Sequence, residues 1–176
     1  MKFFIAILFI PIFHFHLDAQ NTASNFIYDF ETTQTMPNLS GFGMDIELAE
    51  NQKLDKNNMS LLTGRVNRSK GKTWDWAGIY IDLPFYMDLS KTQIISLKIL
   101  CTTRTGIVNV KLENNRSHFP PTEIQTRTTK LKEWEQLFFD FRNVDSTYRY
   151  NRLTIFVDYQ SFENDVYFID DIKFGL

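Results

Sequence analysis

Two adjacent carboxylates, Asp170 and Asp171, interrupt the densest run of β-branched and aromatic residues in the chain, Val166-Tyr167-Phe168-Ile169-Asp170-Asp171-Ile172-Lys173-Phe174. A run of this kind reads as a strand in the middle of a sheet. Strict alternation puts Phe168, Asp170, Ile172 and Phe174 on one face and Tyr167, Ile169, Asp171 and Lys173 on the other. Asp170 thereby shares a side with apolar residues, where an unpaired charge is costly. It requires a partner: a hard cation such as calcium, a buried Lys or Arg, or a position at the sheet rim open to water.

Other reactive side chains are few. Residues 1–19 read as a secretory signal: Lys2 is a short positive start, an apolar stretch follows, and Ala19 is the small residue a signal peptidase needs. The apolar stretch is too short for a comfortable membrane span, so no membrane insertion is expected once the leader is removed. His14 and His16 leave with it, and His118 is then the only histidine, beside Phe119-Pro120-Pro121 in a loop. No Gly-x-Ser-x-Gly motif accompanies it, so a Ser-His-Asp or Cys-His machine has no visible frame. One His and one Cys do not make a zinc site. The expectation is a protein that is not an enzyme.

Composition narrows the class further. The leader carries Lys2 and Asp18, so basic and acidic residues fall from 19 and 21 to 18 and 20 and the formal net charge stays at −2. A near-neutral chain has no electrostatic case for nucleic acid. Cys101 is the single cysteine, so no intrachain disulfide forms and an exported domain must rely on its core, helped at most by a metal. Aromatic residues make up 15 % of the chain, enough to furnish that core. Cys101 itself is expected inside it.

The elements that must position these residues are short strands between turn residues. Alternation marks residues 26–31, 42–48, 60–68, 77–83, 94–101, 106–113, 122–128, 134–141 and 153–159 before the closing run. In 106–113, Val108, Val110 and Leu112 point inward while Asn109, Lys111 and Glu113 point outward. Residues 49–58 read as a polar, flexible loop, and Arg65, Arg68, Lys70 and Lys72 as a solvated basic hairpin. No twelve-residue stretch has helical periodicity. About ten strands, each with one apolar face, define an all-β chain, an antiparallel β-sandwich or jelly roll, in one domain over residues 20–176.

Several short motifs then occur in a familiar order: Phe30-Glu31, Trp76-Ala77-Gly78, Val110-Lys111-Leu112-Glu113-Asn114, Trp134-Glu135 with Leu137-Phe138-Phe139-Asp140-Phe141, Phe156-Val157-Asp158-Tyr159 and Phe168-Ile169-Asp170-Asp171-Ile172. Together they resemble the galactose-binding-like jelly-roll domains that many Bacteroidetes export and that are regarded as carbohydrate-binding modules. The resemblance spans roughly residues 26–176. It implies a secreted module that holds a polysaccharide or glycan near a surface protein or partner enzyme. The other reading is a structural or protein-interaction sandwich without sugar binding, since a fold does not assign a ligand. The chain departs from the family pattern at Asn51-Gln52, where an Asn-Pro pair is common, and at Asn57, where a Gly is common, so the loop there is expected to be longer.

The resemblance also implies where chemistry would sit. Sugar-binding sandwiches use aromatic faces against the apolar face of a pyranose and a few charged groups for its hydroxyls. With Ala77, Ile79, Ile81 and Leu83 inward, alternation sends Trp76, Gly78, Tyr80 and Asp82 outward, a flat aromatic pair with room above it. Trp76, Tyr80, Lys111, Glu113 and Asp158 would line one groove. In related families the positions of Glu31 and Asp170 flank a structural calcium, with Asp171 or Asp29 as the nearby alternative. A glycosidase needs only two carboxylates, yet no closely spaced acid cluster such as Glu-x-Asp-x-x-Glu occurs.

Overall fold

Among the described residues eleven strands stack in two antiparallel sheets, and alternation of apolar and polar side chains sets the inward face of strands such as β5 and β7. The computed structural model describes residues 26–31, 38–68, 76–91 and 93–175. The expected leader at 1–19 lies outside these residues, as do residues 70–75 of the basic and tryptophan-bearing segment. In chain order the strands are β1 (Phe26–Tyr28), β2 (Leu39–Phe42), β3 (Asp45–Glu50), β4 (Leu62–Asn67), β5 (Gly78–Met87), β6 (Ile94–Cys101), β7 (Ile107–Glu113), β8 (Thr122–Arg127), β9 (Trp134–Asp140), β10 (Tyr150–Val157) and β11 (Val166–Phe174). One sheet runs β3-β4-β11-β6-β9 with β1 also on β11; the other runs β2-β5-β10-β7-β8. No helix among the described residues is long and apolar enough to cross a membrane.

The core lies between the sheets. Ile79, Ile81, Leu83, Val108, Val110, Leu112, Leu153, Ile155 and Val157 come from one side, and Val66, Ile95, Leu97, Ile99, Leu137, Phe139, Tyr167 and Ile169 from the other. Cys101 is buried among them, and burial pushes its thiol up to about 11. At that value it is a small apolar filler and not a nucleophile.

Four expectations change in three dimensions. The run 42–48 is two strands, not one: the chain turns at Gly43, β2 pairs with β5, and β3 pairs with β4 in the opposite sheet. The loop 49–58 is tied down. Asn51 donates to the Ser60 carbonyl at 2.8 Å, and the Trp134 indole N–H donates to the Lys53 carbonyl at 2.8 Å. Arg68 is fully buried instead of solvated, its Nη1 donating to the carbonyls of Val157 and Asp158 at 2.7 and 2.9 Å.

The fourth change concerns β11, whose strict alternation fails at one residue. Its register against β6 advances three residues, from Asp170 to Lys173, while β6 advances two, from Lys98 to Ser96. Asp171, at φ 47°, is the extra residue of a bulge. Asp170 therefore stays on the outer face with Phe168, and Ile172 turns into the core beside Ile169. β4 pairs with Val166–Ile169 and β1 with Ile172 and Lys173, so the bulge is also where one neighbour gives way to the next.

β4 passes directly over Phe30, a fully buried ring, and a Cβ built on Gly64 would lie 2.6 Å from two of its carbons. Gly64→Ala forces that ring out of its seat, and overpacking of this kind costs about 1–3 kcal/mol. Urea unfolding followed by tryptophan fluorescence will show the midpoint move down by the corresponding amount.

Candidate functional site

Side chains on the outer face of the β2-β5-β10-β7-β8 sheet fall into rows fixed by strand register. Ser40, Tyr80, Thr154, Lys111 and Glu123 stand side by side across all five strands. Asp82, Arg152 and Glu113 form the next row. On the other side, Phe42 is opposite Gly78, and Phe156 is opposite Asn109. These residues are outward because their neighbours, Ile79, Ile81, Leu153, Ile155, Val110 and Leu112, are the inward half of the same alternation.

The aromatic end of this face is a cluster. Trp76, 49 % exposed, stacks on Phe42 with ring centroids 5.9 Å apart, and Phe42 is 6.2 Å from Tyr80 and 5.8 Å from Phe156. Tyr159 packs on Phe156 at 5.4 Å. Gly78 exists here to admit Phe42: a Cβ at that position would sit 2.8 Å from the Phe42 ring and 3.1 Å from that of Phe156. The space expected above the glycine is thus filled, and the flat pair becomes a three-ring platform.

The polar end is pre-paired. Arg152 grips Asp82 through two hydrogen bonds, 2.7 Å from Nε and 2.9 Å from Nη2, while its guanidinium lies 4.3 Å from the Tyr80 ring centroid. Tyr80 is therefore a base for a cation, and Trp76 offers the larger exposed aromatic surface. Lys111 pairs with Glu113 at 2.8 Å, and the Thr154 hydroxyl donates to the same carboxylate at 2.6 Å. Asn109 donates to Glu123 at 3.0 Å and keeps its buried Oδ1 without a partner among the described residues. The result is a strip of oriented donors and acceptors beside an apolar platform, the combination that takes a ring with one apolar face and hydroxyls on its rim.

The structure brings together Trp76, Tyr80, Lys111 and Glu113 and separates Asp158 from them. Asp158 falls after the last residue of β10, at φ 55°, where alternation has ended. It is buried and ion-paired with Arg104 in a network that includes Asp165 and Arg68. Its role is to fasten the 158–165 segment. Phe42, Arg152, Thr154, Asn109 and Phe156 join the face although none of them was among the expected groove residues. Arg152 lies just before the expected strand 153–159, so a reading that began it at Tyr150 would have found that residue, while Thr154 already lay within the expected strand.

On the opposite sheet, Glu31 and Asp170 both reach the segment from Asn58 to Leu62. The Leu62 N–H donates to Glu31 at 2.7 Å; Asn58 donates to Asp170 at 2.8 Å and the Asp171 N–H at 2.7 Å. Asp170 is 0 % exposed, and burial pushes its carboxyl up against the hydrogen bonds from Asn58, Ser60 and Asp171. Asp171 is paired with Lys98 at 2.7 Å and Lys173 at 3.5 Å, so lysines already compensate it. Asp29 accepts the Glu31 N–H at 3.2 Å. No group of three or more His, Cys, Asp or Glu is assembled for a metal among the described residues. A hard cation here would take its remaining ligands from carbonyl oxygens.

No family model and no curated protein matches the chain. Solved structures do match in fold. The family 11 carbohydrate-binding module of a cellulosomal cellulase of Clostridium thermocellum superposes with a TM-score of 0.59 at 14 % identity, covering 85 % of this chain and 92 % of that one. A xylan-binding domain of carbohydrate-binding module family 22 gives 0.60 at 12 %, covering 88 % and 96 %. An exo-β-agarase gives 0.64 at 10 %, covering 86 % of this chain but only 25 % of the agarase chain. The protein therefore has the β-sandwich fold of carbohydrate-binding modules.

Ionisation of the polar strip has a pH consequence. The hydrogen bond from Arg152 holds Asp82 below the usual carboxylate range. Burial pushes Glu113 up, but hydrogen bonds from Lys111 and Thr154 and the charges of Lys111 and Arg152 outweigh it and leave it lowered. Both groups stay ionised until the pH falls below their ordinary values, so the strip keeps its charges throughout the neutral range. Any binding on this face is expected to be flat from neutral pH to about pH 5 and to weaken only below the ordinary carboxylate range, as measured by affinity electrophoresis at stepped pH.

Proposed function

We propose that this protein is a secreted, non-catalytic glycan-binding module that holds a neutral polysaccharide on the outer face of the β2-β5-β10-β7-β8 sheet. The observation that carries the reading is the half-exposed Trp76, stacked on Phe42, with the Asp82–Arg152 and Lys111–Glu113 pairs further along the same sheet face. A glycan chain with one pyranose on the indole and further units running along the face would meet Arg152, Asp82 and Glu113 at the hydroxyls of those further units. Charge-assisted hydrogen bonds from such pairs are directional and already oriented. The structural neighbours support the ligand class, since they include xylan-binding domains and a module in complex with a β-1,3-1,4-mixed-linked tetrasaccharide. In this reading the module concentrates glycan for a surface protein or partner enzyme, and no residue of the face performs hydrolysis.

Affinity gels containing xylan or mixed-linkage β-glucan test the reading. At least one of them is expected to retard the protein, and Trp76→Ala to abolish the retardation with the melting temperature nearly unchanged. A collapse of the melting temperature would make Trp76 a structural anchor, and absence of retardation on every neutral polysaccharide would favour a protein-interaction sandwich.

In the same reading, Glu31 and Asp170 hold a structural calcium ion that ties β11 to the loop preceding β4. The support is a fully buried carboxylate whose hydrogen-bond donors, Asn58 and the Asp171 amide, are neutral. An uncompensated buried charge is costly, and a cation would remove the cost. Thermal melting is expected to give a higher midpoint in calcium than in chelator, with the difference lost in Asp170→Asn; coincident curves for the parent protein would remove the ion from the proposal.

A further inference from the structure

The second sheet carries a recess far from the aromatic face. Over the outer side of β11, β6 and β9 lies a groove of about 500 Å³ lined by Lys56, Lys98, Lys130 and Lys173, with Trp134 also in its wall. The four lysines come from four different places. Lys98 is opposite Gln136 in the β6-β9 ladder, Lys173 follows the bulge of β11, Lys56 sits in the turn closed by the Asp55–Asn58 bridge, and Lys130 precedes β9. That turn is closed by hydrogen bonds: Asp55 accepts the Asn57 N–H at 2.7 Å, and the Asp55 and Asn58 backbones pair reciprocally at 3.1 Å.

Charge in the groove is not balanced. Asp171 is shared by Lys98 and Lys173. The Glu135 carboxylate is engaged by the Thr129 N–H at 2.8 Å, the Thr129 hydroxyl at 2.6 Å and the Lys130 N–H at 3.1 Å. Lys56 and Lys130 have no ion pair among the described residues, and both are exposed. Four ammonium groups therefore meet the carboxylates of Asp171 and Glu135, with Asp170, opposite Lys98 in the ladder, buried under Asn58, so lysines still outnumber acids in a protein whose overall charge is −2. Asn57 and Gln136 add amide groups between the lysines.

We infer that this groove is an anion-binding site for an acidic polysaccharide, a chain carrying uronate carboxylates or sulfate esters. Lysine ammonium groups are compact charges that accept an anionic oxygen without demanding one planar geometry, which suits either substituent. The amides supply donors and acceptors for neighbouring hydroxyls. A volume in the ordinary range for ligand sites accommodates a short stretch of chain and not a flat surface. The site is independent of the aromatic face, and neither reading requires the other.

The test uses affinity gels of polygalacturonate, which carries carboxylates, iota-carrageenan, which carries sulfates, and neutral xylan. Retardation is expected on at least one acidic polymer, and the polymer that retards identifies the substituent. Lys56→Ala/Lys130→Ala removes the two lysines without ion pairs from the groove and is expected to weaken binding to that polymer about tenfold, with an unchanged melting temperature. Added salt is expected to weaken the parent protein on the same gel, because the attraction is between partly solvated charges. Trp76→Ala is expected to leave it intact. Absence of retardation on both acidic polymers overturns the inference, as does equal retardation of the double variant. Competition by duplex DNA as effective as that by the retarding glycan would also overturn it, by making the groove a general polyanion patch.

Discussion

One extra residue in the last strand organises much of this molecule. Without the bulge at Asp171 the alternation of β11 would carry Asp170 and Ile172 to the same side, and either a charge would enter the core or an isoleucine would leave it. The bulge lets Ile169 and Ile172 both face inward and leaves the two carboxylates outside the core. Each then acquires its own surroundings. Asp170 is roofed by Asn58 and Asp171 is compensated by Lys98 and Lys173. The same point in the strand is where β1 succeeds β4 as its neighbour. A burial constraint on two apolar side chains thus determines the placement of an acid, a loop and a lysine-lined recess.

The two faces of the sandwich have different chemistry because their coverings differ. The outer side of the β3-β4-β11-β6-β9 sheet carries Leu100, Trp134 and Phe168, too apolar to be left open, and the segment after β3 folds over them. The indole N–H of Trp134, hydrogen-bonded to Asn51 and Lys53, fastens this cover. Among the described residues no segment folds over Tyr80, Arg152 and Glu113 on the other sheet. Its exposed side chains pair with one another instead, and the tryptophan at its edge remains half in solvent. Pairing of this kind contributes little to stability at an exposed surface. What it does is fix orientation, so that donors and acceptors point outward in a set pattern.

Asp158 and Arg68 illustrate how a strand end changes the meaning of a charged residue. Both were placed in sequence by extending a local pattern, one to a ligand face and the other to solvent. The chain turns after Val157, and a residue in the left-handed region no longer obeys the alternation of the strand before it. The Asp158 carbonyl and carboxylate become the anchor for two arginines. Arginine is suited to such a place because its planar fork satisfies several carbonyl oxygens at once.

Sequence alone determined which residues alternate and therefore which face inward: Ile79 and Ile81, Val108 and Val110, Leu153 and Ile155 were legible because a two-residue period is a property of the chain itself. It also placed Trp76, Tyr80, Lys111 and Glu113 on outward positions. Only the tertiary structure decided which strands lie side by side. That order set Phe42 of β2 against Trp76, laid Arg152 of β10 over Tyr80, and gathered lysines from four separate segments into one groove. The physical reason is that strand neighbours are chosen by packing of whole faces across long sequence distances, while bulges and strand ends, each a single residue's backbone angle, reset the local period that a linear reading must assume.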